Sequence, residues 1–156
     1  MPNWCSNEMT VHGSEQEKKH FYHGNQANIK YWCGKREKWV DCFRDFTFHA
    51  VKPTPKKDKK GQGWYDWNIN HWGTKWDCCE YGIHKDENFN DLEYTFETAW
   101  SPPCEWAKSA SRKFGVELTI RWYEEGGEAG VFSVKNGRVV CDEQIAHPFS
   151  IEEEDE

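Results

Sequence analysis

An α+β fold is what this chain of 156 residues predicts, with helices on one face of a mainly antiparallel sheet and a C-terminal hairpin. Three observations carry the prediction. Leu92, Tyr94 and Phe96 alternate with Glu93, Thr95 and Glu97, and Val116, Leu118, Ile120 and Trp122 alternate with Glu117, Thr119, Arg121 and Tyr123. Period-two patterning of this kind marks half-buried strands. Between the two strands, Trp106, Ala110 and Phe114 recur at helical spacing and Gly115 follows as a stop. Asn136-Gly137 then separates two short apolar runs, the signature of a tight hairpin.

The remaining elements follow in chain order. Asn7 to Gly13 reads as a first strand, with Met9 and Val11 on one face. Ser14 and Glu17 form a capping box, so a helix is expected to about His23, with Gly24 as its stop. Residues 25–35 have no clear period. Trp39, Val40, Phe43 and Phe46 predict a second helix over 36–45, and Phe46 to Val51 alternates like a strand. Pro53 and Pro55 end it, and the lysine-rich stretch from Lys52 to Lys60 reads as a solvated loop. A helix is expected from Trp64 to Gly73, and Cys78 to Ile83 has strand character. Ser101 and Pro102 suit the N-cap and first position of the helix carrying Trp106. These elements make a single domain over residues 1–148, with an insertion near 25–45 and an acidic tail over 149–156.

Composition narrows the function classes. The net charge is −7, and it is uneven: residues 1–60 hold twelve Lys/Arg against seven Asp/Glu, whereas 61–156 hold eight against twenty. An acidic balance disfavours duplex DNA as a partner, because such binding depends on neutralising phosphates. The Lys52–Lys60 loop and the aromatic residues leave single-stranded nucleic acid as an alternative, and the acidic tail leaves mimicry of nucleic acid as another. Seven cysteines without a regular framework, no basic-apolar leader at the start and no long apolar run predict a cytosolic protein with free thiols and no membrane partner. No C-x-x-C or H-x-x-x-H pair marks a metal site, although Cys5, Cys33, Cys104, His12 and His49 could converge. Cys5 is a conceivable nucleophile, but no His stands near it in sequence. No cofactor is implied, and the chain reads as a binder and not an enzyme.

The candidate site is aromatic. Four of the ten tryptophans fall between Trp64 and Trp76, mixed with Asp66, Asn68, Asn70, His71 and Lys75. Indole faces can stack a flat ligand while Lys75 meets a phosphate and the Asn or Asp side chains read polar edges. Buried aromatics at helical spacing equally describe a core.

Three segments, Pro2-Asn3-Trp4-Cys5-Ser6-Asn7, Trp64-Tyr65-Asp66-Trp67 with Trp72-Gly73-Thr74-Lys75-Trp76-Asp77, and Phe96-Glu97-Thr98-Ala99-Trp100-Ser101-Pro102-Pro103, together resemble the YubB-like family of phage- and plasmid-borne proteins. That resemblance implies a ferredoxin-like domain and a mobile-element origin, and it supplies no catalytic residues. The expected role is therefore an accessory factor that counters host defence by holding a nucleotide-like ligand or blocking a host defence protein. If a ligand is captured, Trp64, Tyr65, Trp67, Trp72, Lys75 and Trp76 should line a cleft with Asn3, Trp4 and Trp100 beside it.

Overall fold

The computed structural model describes residues 3–33, 38–55 and 63–145. Their elements are β1 (Trp4–His12), α1 (Glu15–Gly24), β2 (Ala27–Cys33), β3 (Lys38–Arg44), a 3-10 turn (Phe48–Ala50), α2 (Trp64–His71), β4 (Cys79–Lys85), β5 (Leu92–Ala99), α3 (Cys104–Phe114), β6 (Glu117–Glu124), β7 (Ala129–Lys135) and β8 (Arg138–Gln144). Six strands form one sheet in the order β4-β5-β1-β6-β7-β8, every neighbouring pair antiparallel. The path β1-α1-β4-β5-α3-β6 across β4-β5-β1-β6 is the split β-α-β connectivity of ferredoxin-like domains, as expected. The β7–β8 hairpin extends that sheet at one edge. Both outer strands carry a register irregularity, between Cys79 and Gly82 in β4 and opposite Ser133/Val134 in β8. Bulges at sheet edges discourage further strand addition.

Alternation sets the two faces. Cys5, Asn7, Met9 and Val11 of β1, Tyr94 and Phe96 of β5, and Leu118 and Ile120 of β6 are buried under the helices. The core is built largely from rings. Phe46 lies 4.6 Å from Tyr94, 5.2 Å from Phe96 and 5.6 Å from Trp106, and Phe48 packs 4.8 Å from Trp106. Such pairs contribute roughly 0.5–1.5 kcal/mol each beyond their buried area. This is how a chain with only 37% hydrophobic residues seals a core.

Four local expectations are corrected. The helix expected over 36–45 is a strand, Lys38–Arg44, paired with Ala27–Cys33 in a separate two-stranded sheet. Phe43, which a helix would have buried, is 56% exposed. The alternation at Phe46–Val51 is not a strand: Thr47 caps a 3-10 turn instead. Asp77 accepts hydrogen bonds from the Thr47 hydroxyl and the Phe48 amide, so those groups are withdrawn from any strand ladder. Gly24 is the last helical residue and Asn25 the cap, with its amide and its Nδ2 both donating to the Phe21 carbonyl. The glycine is required for another reason, since a Cβ there would lie 2.4 Å from the Phe114 ring. Finally, Ser101 does not cap α3, which starts at Cys104 with no side-chain cap; its hydroxyl donates to the Gly73 carbonyl at 2.6 Å.

The insertion is longer than the expected 25–45. It runs from the end of α1 to the start of β4 and includes the hairpin, the 3-10 turn and α2. Asp77 fastens it down. Oδ1 accepts from the Phe48 and Cys78 amides, both at 2.8 Å, and Oδ2 accepts from Thr47 and from Arg44 Nη1 at 3.4 Å. Arg44 also donates to the Cys78 carbonyl at 2.7 Å and lies over the Tyr81 ring.

Candidate functional site

The aromatic segment folds as a helix followed by an irregular turn because Gly73, at φ +85°, breaks the helical path just beyond α2. That turn faces the start of β1 and the end of β5. Thr74 Oγ1 donates to the Ala99 carbonyl at 2.8 Å, Ser101 Oγ to the Gly73 carbonyl, and the Trp100 amide to the Asn3 carbonyl at 2.9 Å. Beneath them, buried Asn7 donates to the Phe96 carbonyl and to Thr98 Oγ1, whose hydroxyl donates to the Ser101 carbonyl at 2.7 Å. The three segments singled out in the sequence therefore meet at one end of the sheet.

The predicted residues divide there. Trp72 is buried, its Nε1 donating to the Lys52 carbonyl at 2.9 Å, so it is core and not a cleft wall. Trp67 is half-buried, stacked on His71 with centroids 4.3 Å apart and edge-on to Trp72. Trp64 and Tyr65 are 50% and 48% exposed on α2. Lys75 Nζ stands 5.6 Å from the Tyr65 ring centre and 4.6 Å from that of Trp76, and Trp76 lies 6.1 Å from Trp4. Trp64, Tyr65, Lys75, Trp76 and Trp4 thus form a continuous row. Asn3 enters through its carbonyl. Trp100 is 53% exposed and holds φ +74°, a region that bulky residues rarely occupy. Holding it there costs about 1–3 kcal/mol, offset by the hydrogen bonds on either side.

The row runs as a ledge that leaves Trp64 and Tyr65 half-exposed. Two hollows among the described residues lie elsewhere. One of about 520 Å³ is lined by Glu15, Lys19, His20, His23 and Phe89, and one of about 340 Å³ lies on the sheet around Glu8, Glu93 and Arg121. Asn68, expected to read a ligand edge, is buried in a structural role. Its Nδ2 donates to the Lys75 carbonyl at 2.8 Å and its Oδ1 accepts from Thr54. Sequence reasoning passed over Thr74, Thr98 and Asn7, the buried polar residues that brace the ledge. Asn7 and Thr98 show in the sequence only as polar residues within otherwise apolar strand faces, and Thr74 lies in the irregular turn after α2.

Residues 80–156 match the family model of the ferredoxin-like domain in Api92-like protein. The match begins in β4, so the aromatic segment and β1 lie before it. The crystal structure of a protein api92 from Yersinia pseudotuberculosis resembles this one with a TM-score of 0.63 at 11% identity, over 94% of this chain and 99% of that chain. A likeness at that identity establishes the fold. No curated protein matched.

The other candidate chemistry is not assembled. Cys5 is buried, and that burial first, then Glu124 and Cys104, pushes its thiol up to about 12 against the opposing bond with Thr98. A thiol so placed is a poor nucleophile. Among the described residues no three His, Cys, Asp or Glu side chains gather as metal ligands. The side chain of Cys33, residues 56–60 of the lysine loop and the acidic tail over 149–156 lie outside the described residues. No helix among the described residues is long and apolar enough to cross a membrane.

Proposed function

We propose that this protein acts by binding, that the aromatic ledge is its contact surface, and that its partner is a host protein. Trp100 carries this reading: a large ring is turned to solvent from a costly backbone conformation, with a braced network beneath it. Strain persists where the surroundings impose it, and such places cluster at functional sites. Trp and Tyr are the side chains that most often anchor protein interfaces. The YubB-like resemblance supplies the setting, a phage- or plasmid-borne accessory factor acting as an inhibitor of host defence in the host cytosol.

A photo-crosslinking residue placed at position 100 in the intact protein tests this inside host cells. One discrete adduct, lost on Trp64→Ala and missing when the same residue replaces exposed Lys113, is the expected result. Identical adducts from positions 100 and 113, or none from position 100, would refute the partner reading.

Lys75 favours a second reading, capture of a nucleotide-like ligand. Its ammonium sits between the Tyr65 and Trp76 rings, where a base could stack while its phosphate meets the lysine. Stacking of this kind is worth roughly 1–3 kcal/mol per base. Nucleotide titration should then quench tryptophan fluorescence, and Lys75→Ala should weaken the response. An unchanged signal across a broad nucleotide panel would eliminate it.

A further inference from the structure

The helices and the 3-10 turn pack on one side of the six-stranded sheet, and on the other side Trp76 of the insertion reaches Trp4 at one end. Strand alternation assigns that open face. Trp4, Ser6, Glu8, Thr10 and His12 come from β1, Glu93, Thr95 and Glu97 from β5, Gly82 and His84 from β4, and Glu117, Thr119, Arg121 and Tyr123 from β6. The hollow of about 340 Å³ opens near the middle of this face. Short Thr10 and Thr95 form its floor, and Glu8, Glu93, His84 and Arg121 form its rim. Gly82, beside Thr95 in the register, adds no side chain that would fill it.

We propose that this open face docks an arginine- or lysine-rich segment of a partner protein, with one cationic side chain seated in the hollow between Glu8 and Glu93. Charge complementarity selects that occupant. Glu8 stands opposite Arg121 in the β1–β6 register, and Glu93 stands opposite His84 in the β4–β5 register. Yet neither glutamate, nor Glu97 farther along β5, is in an ion pair among the described residues. Burial first, then Glu80 and Glu125, raises the Glu97 carboxyl from its ordinary value. The hollow has room for the end of one long side chain, and the floor threonines add hydrogen-bond acceptors. Phosphate-bearing partners meet the wrong sign here. None of the ledge residues lines the hollow, so the failure of this proposal and that of the ledge reading are separable.

Fluorescence anisotropy of labelled oligo-arginine, oligo-lysine and oligo-glutamate peptides with the intact protein tests it. Oligo-arginine and oligo-lysine should bind and oligo-glutamate should not. Glu8→Gln with Glu93→Gln should weaken binding by about three- to tenfold, the sum expected of two exposed ion pairs. Arg121→Gln, which removes the one strong cation on the rim, should strengthen binding by about two- to fivefold. Glu117→Gln removes the same charge at the far end of the face and should change binding by less than about twofold. Trp64→Ala and Trp100→Ala should leave it unchanged. Absence of cationic-peptide binding, an equal loss in Glu117→Gln and the double variant, or no gain in Arg121→Gln would overturn the proposal.

Discussion

Replacing Asp77 by Ala removes the clasp that ties the Arg44–Phe48 segment to the chain entering β4, and its cost can be worked from the contacts. The substitution leaves the Phe48 and Cys78 amides and the Thr47 hydroxyl without their acceptor. It also strips the countercharge from Arg44, whose side chain is only 15% exposed. Each orphaned buried donor costs about 1–3 kcal/mol, and breaking a buried ion pair costs about 3–5 kcal/mol. These terms overlap, because Arg44 keeps the Cys78 carbonyl and water reaches part of the site, so about 3–5 kcal/mol is the expected total. For a domain of this size that lowers Tm by about 6–20 °C. Asp77→Asn keeps the Oδ1 acceptor for both amides but points an NH₂ at Arg44, so it should fall about midway. Urea denaturation of the three proteins, followed by circular dichroism, measures the series. A loss below about 1 kcal/mol for Asp77→Ala, or equal losses for Ala and Asn, would refute the clasp.

Further predictions concern pH, thiols and the ledge. His49 is held below its ordinary 6.5 by burial first and by Arg44, against the opposing pull of Asp77. The unfolded chain therefore takes up the proton first as pH falls. Its stabilising contribution is full above about pH 6.5 and is lost as pH drops through the lower folded value, a slope that His49→Phe should flatten in denaturation curves. Cys5 and Cys104, both pushed up to about 12, and fully buried Cys78 should resist iodoacetamide in the native state and react once the protein is unfolded. Native labelling of Cys5 as fast as that of half-exposed Cys42 would contradict that burial. Trp100→Gly relieves the positive φ, so it should be more stable than Trp100→Ala by about 1 kcal/mol while both lose the contact made by the ring. Equal stability of the two variants would show that no strain is stored at position 100.

The regular elements were legible wherever local signals agreed. The capping box at Ser14 and Glu17, the alternation through β5 and β6, the left-handed Gly115 and the Asn136-Gly137 turn each appear as read. Those signals depend on residues within a few positions of one another. The failures share a different cause. Phe46 to Val51 and Ser101 have side chains or amides taken by partners far away in sequence, Asp77 and Gly73, and no local pattern announces such a partner. At residues 38–44 the spacing of Trp39, Val40 and Phe43 fits a helix, and pairing with β2 decided against it.

By itself, then, the sequence determined the fold class and the hairpin, because periodicity, caps and tight turns act over one or two turns of backbone. Tertiary structure alone decided which rings face water. Trp72 and Trp100 are the same residue type in neighbouring motifs, yet one is buried against Phe48 and the other stands in solvent. The physical reason is that burial depends on what lies across the interface, and the elements that cover Trp72 and leave Trp100 bare come from distant parts of the chain.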